Sequence, residues 1–292
     1  MMRAVAGLAA AGLGLAGWSL WEARNYQRSF HHLNILPKGM EPMRVLNISD
    51  IHLMPDDDKK VEFIRDLVDL KPDAVFLTGD QLSSTKSLPS LLRALKPLSG
   101  LPGAFVYGSH DYHAPIWKNP LGYVIPPLRT EEREPDALPH EAMATAFDEY
   151  GWVDLRNARS SITIAGSEIG LVGVDDPHID FDQYPESDGR DHEFTIGLTH
   201  APYTRILNQM NAEGVGLALA GHTHGGQVCV PGYGALITNC DLDTDHVAGV
   251  FGWPAIGHEK TMTVAISRGL GTSPYAPFRL ACRPEVQVID LA

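Results

Sequence analysis

Short polar clusters punctuate the chain, each directly after an apolar run. They are "SDIH" with Asp50 and His52, "TGDQ" with Asp80, "GSHD" with Ser109, His110 and Asp111, "LTH" with His200, and "GHTH" with His222 and His224. Carboxylate oxygens and imidazole nitrogens are the donors that borderline divalent cations require. In extended backbone, residues i and i+2 point to one face, so Asp50 with His52, and His222 with His224, each read as a two-pronged claw. Singly the clusters say little: Asp and Gly at a strand end are ordinary turn chemistry, and His200 alone fits a hydrogen-bonded core histidine. Together they hold the donors for two metal ions. The glycines among them, Gly79, Gly108, Gly221, Gly225 and Gly226, let the backbone turn sharply and approach closely.

Such donors need a scaffold that delivers them to one place. Met43 to Ile48, Ala74 to Leu77 and Gly103 to Tyr107 read as buried strands, while Lys59 to Leu70 and Ser87 to Leu98 carry apolar residues at helical spacing. Alternating strand and helix argue for parallel βαβ units, whose ligands gather at the carboxyl ends of strands. The clusters sit at such ends. Residues 112 to 139, rich in Pro and charge, read either as a flap beside the site or as a mobile insertion. Beyond a helix at His140 to Tyr150, short strands at Trp152 to Leu155, Ser161 to Ile164 and Ile169 to Val174 suggest that the second half opens as an antiparallel meander. Further strands are expected at Phe194 to Leu198, Val215 to Leu219 and Met262 to Ile266, with a helix near Tyr203 to Asn211.

A chain of 292 residues with 44% hydrophobic content supports one large domain. Its net charge of −13 repels polyanions, which argues against general nucleic-acid binding. Cys229, Cys240 and Cys282 show no CxxC spacing and read as reduced thiols, with one Cys240 to Cys282 pair as the alternative. Residues 4 to 21 carry no charge and just reach the length of a membrane span. This gives an anchor and connector over residues 1–40 ahead of a domain at 41–292. A signal peptide or a helix lying on the domain surface are the competing readings. Counting flanking cations favours a single membrane anchor with the domain on the cytoplasmic face.

The series DxH, GD, GxHD, H, GHxH resembles the calcineurin-like metallophosphoesterases, over nearly the whole chain from Met43 onward. "GVDDPH", "GHTHGGQ" and "GLGTSPYAPFR" are similar to segments of a bacterial, membrane-associated branch. The resemblance implies an α/β fold, a four-layer α/β/β/α sandwich, here with an N-terminal apolar helix. It also implies two divalent ions of the Mn, Fe or Zn type. Asp50, His52 and His224 would hold one, His200 and His222 the second, and Asp80 would bridge both. The family places an Asn where this chain has Ser109, so the second metal would lean on a shorter, poorer ligand or on water. His110 would contact the phosphate and protonate the leaving oxygen; Asp111 would either orient His110 or cap a turn.

These features imply a metal-dependent phosphoesterase acting through metal-activated water on phosphomonoester, phosphodiester or diphosphate bonds. The sequence "GDQLSSTK" lacks the GDxxDRG of the phosphoprotein phosphatases, and the acidity argues against a nuclease. The apolar leader points to lipid-linked substrates met at a membrane. The competing class is a degenerate scaffold or binding protein with little catalysis, supported by Ser109 alone. Lys118, Arg268 and Arg279 are candidate phosphate-binding cations. The loop "SRGLGTS" at 267 to 273 is either an anion cradle or a surface turn, and Asp175, Asp176 and His178 share a turn that reaches toward the site edge.

Overall fold

The computed structural model of the chain describes residues 2–117, 134–254 and 261–292, with only the backbone described for residues 2–11. Two six-stranded sheets lie face to face. The first has the order β1(Gln27–Leu33), β14(Glu285–Leu291), β2(Met43–Ile48), β3(Ala74–Thr78), β4(Gly103–Val106), β5(Trp152–Asp154). The second runs β12(Gly249–Trp253), β13(Met262–Ile266), β9(Leu217–Ala220), β8(Thr195–Leu198), β7(Ser167–Gly173), β6(Ala158–Ile164), and β10(Cys229–Val230) pairs with β11(Gly234–Ala235) in a separate two-stranded ribbon.

Side-chain alternation along the strands builds the layers. In the first sheet Leu46, Ile48, Val75, Leu77, Phe105 and Val288 pack outward. They meet α2(Asp58–Arg65), α3(Leu88–Leu95) and α5(His140–Glu149) through Val61, Ile64, Leu91, Leu95, Met143 and Phe147. The residues one position along, Val45, Phe76, Ala104, Val106 and Ile289, face inward against Leu171, Ile196, Leu198, Leu217, Leu219 and Ala265 of the second sheet. That sheet's outer face, with Val172, Ala218, Ala220, Val264 and Ile266, is covered by Ile206, Leu207 and Met210 of α6(Thr204–Ala212). Helix, sheet, sheet and helix make the four-layer sandwich anticipated from the sequence.

The strands that precede the polar clusters run parallel within each sheet: β2 with β3, β3 with β4, and β8 with β9. Their carboxyl ends therefore open at one edge of the sandwich. Behind that edge a buried polar network ties the two sheets together. Asn47 donates to Gln287 Oε1 at 2.9 Å and to the Ala220 carbonyl at 3.3 Å, Thr78 donates to Asn47 Oδ1 at 2.9 Å, and Gln287 donates to the Ile266 carbonyl at 3.1 Å.

Several elements differ from the sequence reading. The meander is confined to the β6–β7 hairpin: β5 joins the first sheet parallel to β4, and β7, β8 and β9 are parallel. Residues read as a polar connector form β1, which pairs parallel with β14. Neither strand shows an uninterrupted apolar run, because β1 is an edge with alternating burial and β14 buries Glu285 and Gln287. The flap reading of residues 112–139 falls largely on residues 118–133, outside those described. Its base is closed by an antiparallel bridge between His113 and Ala137.

The N-terminal helix is α1(Met2–Glu22). Among the described residues no helix is long and apolar enough to cross a membrane. The last turns of α1 dock on the domain: the Ser19 carbonyl accepts from Arg279 N at 3.0 Å, and buried Glu22 accepts from Cys282 N at 2.6 Å and Trp18 Nε1 at 2.7 Å.

Candidate metal centre

The claws are built by turned backbone rather than by extended strand. Asp50, His52, Asp80, His222 and His224 all have positive φ, between 44° and 70°. Left-handed backbone is unfavourable for residues with a side chain and persists where the surroundings enforce it. Here the two loops of the first sheet enforce each other: Asp50 N donates to the Gly79 carbonyl at 2.9 Å and His52 N to the Asp80 carbonyl at 3.0 Å. In the second sheet, Gly221 N donates to the His200 carbonyl at 3.0 Å. Close approach needs glycine at two points. A Cβ on Gly108 would meet Asp80 Oδ1 and His200 Nε2, and one on Gly221 would meet Ser49 Oγ and Asp50 Oδ2.

The structure brings together two donor groups, Asp50 with His52 and His224, and Asp50 with Asp80 and His200, each with its donor atoms within 4.8 Å of one another. Asp80 Oδ2 lies 3.4 Å from His52 Nε2 and 3.5 Å from His200 Nε2. His222 Nδ1 lies 3.3 Å from His200 Nε2, and His224 Nε2 lies 3.5 Å from Asp50 Oδ1. The ring nitrogens turned away from this cluster have partners that set the tautomer. His200 Nδ1 faces the Thr78 carbonyl at 2.7 Å, His222 Nε2 the Asn239 carbonyl at 3.0 Å, and His52 Nδ1 the Ser83 hydroxyl at 3.1 Å.

Divalent cations fit these residues. His52 Nε2 is buried without a hydrogen-bond partner yet points at Asp80, an arrangement that leaves a lone pair for a metal. Negative charge is also crowded there. Burial first, then the Asp80 carboxylate, pushes Asp111 up to about 7, against backbone N–H groups that pull it down. Burial pushes Asp176 up to about 6. His200 is the reverse case: burial opposes its charge, but Asp80, Asp176 and Asp50 hold its pKa well above the usual imidazole value. A buried pocket that draws a proton onto an imidazole among carboxylates is one that cations neutralise.

The other candidates divide clearly. Asp111 does not orient the His110 ring; it clamps two loops, accepting from Asp80 N at 2.7 Å, Gln81 N at 2.8 Å and Gly108 N at 2.9 Å. His110 donates its backbone N–H to Asp80 Oδ1 at 2.8 Å, and its ring lies beside that of His52, centroids 5.2 Å apart, with Nδ1 3.1 Å from the His113 carbonyl. Ser109 opens the short helix α4(Ser109–Tyr112) next to these groups. Arg279 is not a phosphate-facing cation. It is fully buried, and its guanidinium donates to the carbonyls of Arg268 and Gly271 at 2.7 Å and of His224 at 3.2 Å, tying the "GHTH" turn to the 268–271 loop. Arg268 is paired with Glu285 at 3.0 Å, and Lys118 lies outside the described residues.

All three thiols are free, and the Cys240 to Cys282 pair is not formed. Cys282 packs with Cys229 instead, while Cys240 packs under the second sheet. Sequence reasoning missed Ser83, Asn239 and the Asn47–Thr78–Gln287 network. These polar residues orient the site only through contacts distant in the chain, so no local spacing marks them.

Residues 43–226 match the model of the family described as calcineurin-like phosphoesterase. The phosphodiesterase YaeI of Escherichia coli is 28% identical over 271 residues, covering 89% of this chain and 86% of its own. The metallophosphoesterase YkuE of Bacillus subtilis is 26% identical over 269 residues, 88% and 82% of the two chains. A bovine transmembrane protein with a metallophosphoesterase domain is 26% identical over 263 residues, 88% of this chain but 54% of its own. The family match takes in every strand end from Asp50 to His224 and more than half the length, so the chain belongs to the calcineurin-like phosphoesterases.

Proposed function

We propose that the chain hydrolyses phosphate esters at a centre of two divalent cations. Asp50, His52, Asp80 and His224 would hold one, and Asp80, His200 and His222 the other. The observation that carries this reading is the position of Asp80 Oδ2, within 3.5 Å of an imidazole on either side in a buried, acid-rich pocket. When bound, such a pair would supply Lewis acidity to the ester oxygens and to an attacking water.

The chain's own residues orient and protonate. The His110 backbone N–H on Asp80 Oδ1 fixes that carboxylate. With Nδ1 on the His113 carbonyl, Nε2 is the nitrogen left to carry a proton to the departing oxygen, work suited to an imidazole near neutral pH. His110→Ala should therefore slow hydrolysis of an alkyl phosphodiester by about 10²-fold or more, affect an aryl ester with a good leaving group far less, and leave metal content unchanged. Equal rates for variant and parent on the alkyl ester would remove His110 from the acid role.

The substrates are lipid-linked phosphates met at a membrane surface. Leu13, Leu15, Trp18, Leu20 and Trp21 of α1 are exposed. The ladder that docks α1 on Arg279 continues from Leu280 to Cys229, beside exposed Val230, Tyr233, Leu236 and Ile237. Exposed aromatic and aliphatic side chains of this kind suit the interface of a bilayer. Removing residues 1–17 spares the docked Ser19 and Glu22. It should release the chain from phospholipid vesicles in a sedimentation assay while leaving hydrolysis of a soluble aryl phosphodiester intact. Undiminished pelleting would exclude the leader as anchor.

A further inference from the structure

Behind the "GHTHGG" turn lies a pair of thiols that the hydrolytic chemistry leaves unused. Cys229 sits on β10 and Cys282 lies just past Arg279. Backbone bonding holds the two segments together, with Cys229 N donating to the Leu280 carbonyl at 2.8 Å beside a parallel bridge between Val228 and Leu280. The two side chains pack in one small cluster, and both sulfurs meet one oxygen. The Gly225 carbonyl lies 3.2 Å from Cys229 Sγ and 3.4 Å from Cys282 Sγ. Neither cysteine is in a disulfide.

A small reagent can reach them. Cys229, Cys282 and Gly225 line a cavity of about 400 Å³, and exposed Pro231, Gly232 and Gly234 line it too, so it communicates with solvent. The same sulfurs support a proposed metal ligand. His224 and Gly225 have φ of 50° and 62°, and left-handed backbone persists at a residue with a side chain where its surroundings enforce it. The His224 carbonyl accepts from Cys282 Sγ at 3.1 Å and from Arg279 Nη1 at 3.2 Å. A Cβ on Gly225 would come within 2.9 Å of Cys282 Sγ, so sulfur and turn are in close contact.

We propose that Cys229 and Cys282 form a reversible disulfide in response to hydrogen peroxide, and that this cross-link loosens the cation held by His224. The effect on the cation rests on the dinuclear reading above; the cross-link does not. One sulfur breaks the peroxide O–O bond, giving a sulfenic acid and a water, and the second thiol displaces the sulfenic hydroxyl as another water while the S–S bond forms. Two electrons pass from the sulfurs to the peroxide oxygens, and both thiol protons leave in the waters. Closing the sulfurs to a bond of about 2.0 Å removes every S–H donor from the His224 and Gly225 carbonyls. The turn then holds the His224 ring less firmly against Asp50 and His52.

The test treats the full chain with hydrogen peroxide, removes the oxidant, maps cysteine linkages by mass spectrometry of proteolytic peptides, and follows Mn²⁺ binding by calorimetry. The parent should yield a linked peptide joining Cys229 to Cys282, with Cys240 still a thiol, and a phosphine reductant should reverse it. Oxidised parent should bind one Mn²⁺ ion about 10-fold more weakly than reduced parent. Cys229→Ser keeps a hydroxyl donor for the Gly225 carbonyl; its Mn²⁺ affinities should match those of the reduced parent and should not change after peroxide. Cys229→Ala carries the same before-and-after comparison if the serine variant does not fold. Cysteines 229 and 282 that stay unlinked after peroxide, or that link to Cys240 instead, would overturn the pairing. A Cys229 to Cys282 link that leaves both Mn²⁺ affinities unchanged would overturn the switch while leaving the dinuclear reading intact. A reduced parent that binds no Mn²⁺ would overturn the dinuclear reading and the switch together, with the pairing still decided by the peptides.

Discussion

Asp80→Asn should reduce turnover of any phosphate ester by more than about 10³-fold, the scale expected when preorganised charge at a reacting centre is lost. Asparagine retains the Oδ1 acceptor for the His110 N–H, so the loop keeps its shape. It replaces Oδ2, the atom that reaches His52 and His200, with a group that carries no charge and donates hydrogen. The loss should therefore appear in kcat with an unchanged circular dichroism spectrum and melting temperature in the absence of metal. A variant that kept a tenth of parental kcat would show that the reaction does not pass through Asp80.

Asp111→Ala should act on the fold itself. It leaves the N–H groups of Asp80, Gln81 and Gly108 without an acceptor at a buried position. Each such orphan costs about 1–3 kcal/mol. Even the lower end of that range, summed over these three donors, corresponds to a fall in melting temperature of roughly 6 °C for a domain of this size. Thermal denaturation of the metal-free protein reads this directly, and a shift below about 2 °C would mean that the clamp contributes little. Metal affinity should fall as well, because Asp111 holds the Asp80 turn against Gly108. An added metal should therefore raise the variant's melting temperature less than the parent's.

The polar clusters were legible because each follows a strand whose hydrophobic run is unmistakable, and parallel strands of one sheet must end at one edge. Their local geometry was not. Extended backbone would have aimed Asp50 and His52 together by alternation, whereas the structure reaches the same convergence through left-handed turns. Those turns are held by hydrogen bonds between loops far apart in the chain. The same reason hid the role of Asp111 and the burial of Arg279. Acid and cation types were visible, but their partners are backbone groups that no side-chain spacing reveals. β14 escaped because Glu285 and Gln287 interrupt its apolar pattern while being buried for polar reasons: Glu285 pairs with Arg268, and Gln287 joins the network behind the site. β5 was read into the wrong sheet because a three-residue strand carries no information about its neighbour.

The metal-dependent hydrolase assignment and the four-layer fold support each other through position: the residues that differ most from ordinary core chemistry are the ones at the shared edge. Arg279 ties the docked end of α1 to that edge, with its backbone N–H on the Ser19 carbonyl and its guanidinium on the His224 carbonyl.

The most direct test is anomalous diffraction from crystals of the chain loaded with Mn²⁺. The account predicts two peaks about 3.5–4 Å apart, one among Asp50, His52 and His224 and one beside His200 and His222, with the Asp80 carboxylate reaching both. A single peak, or peaks on only one side of Asp80, would contradict it.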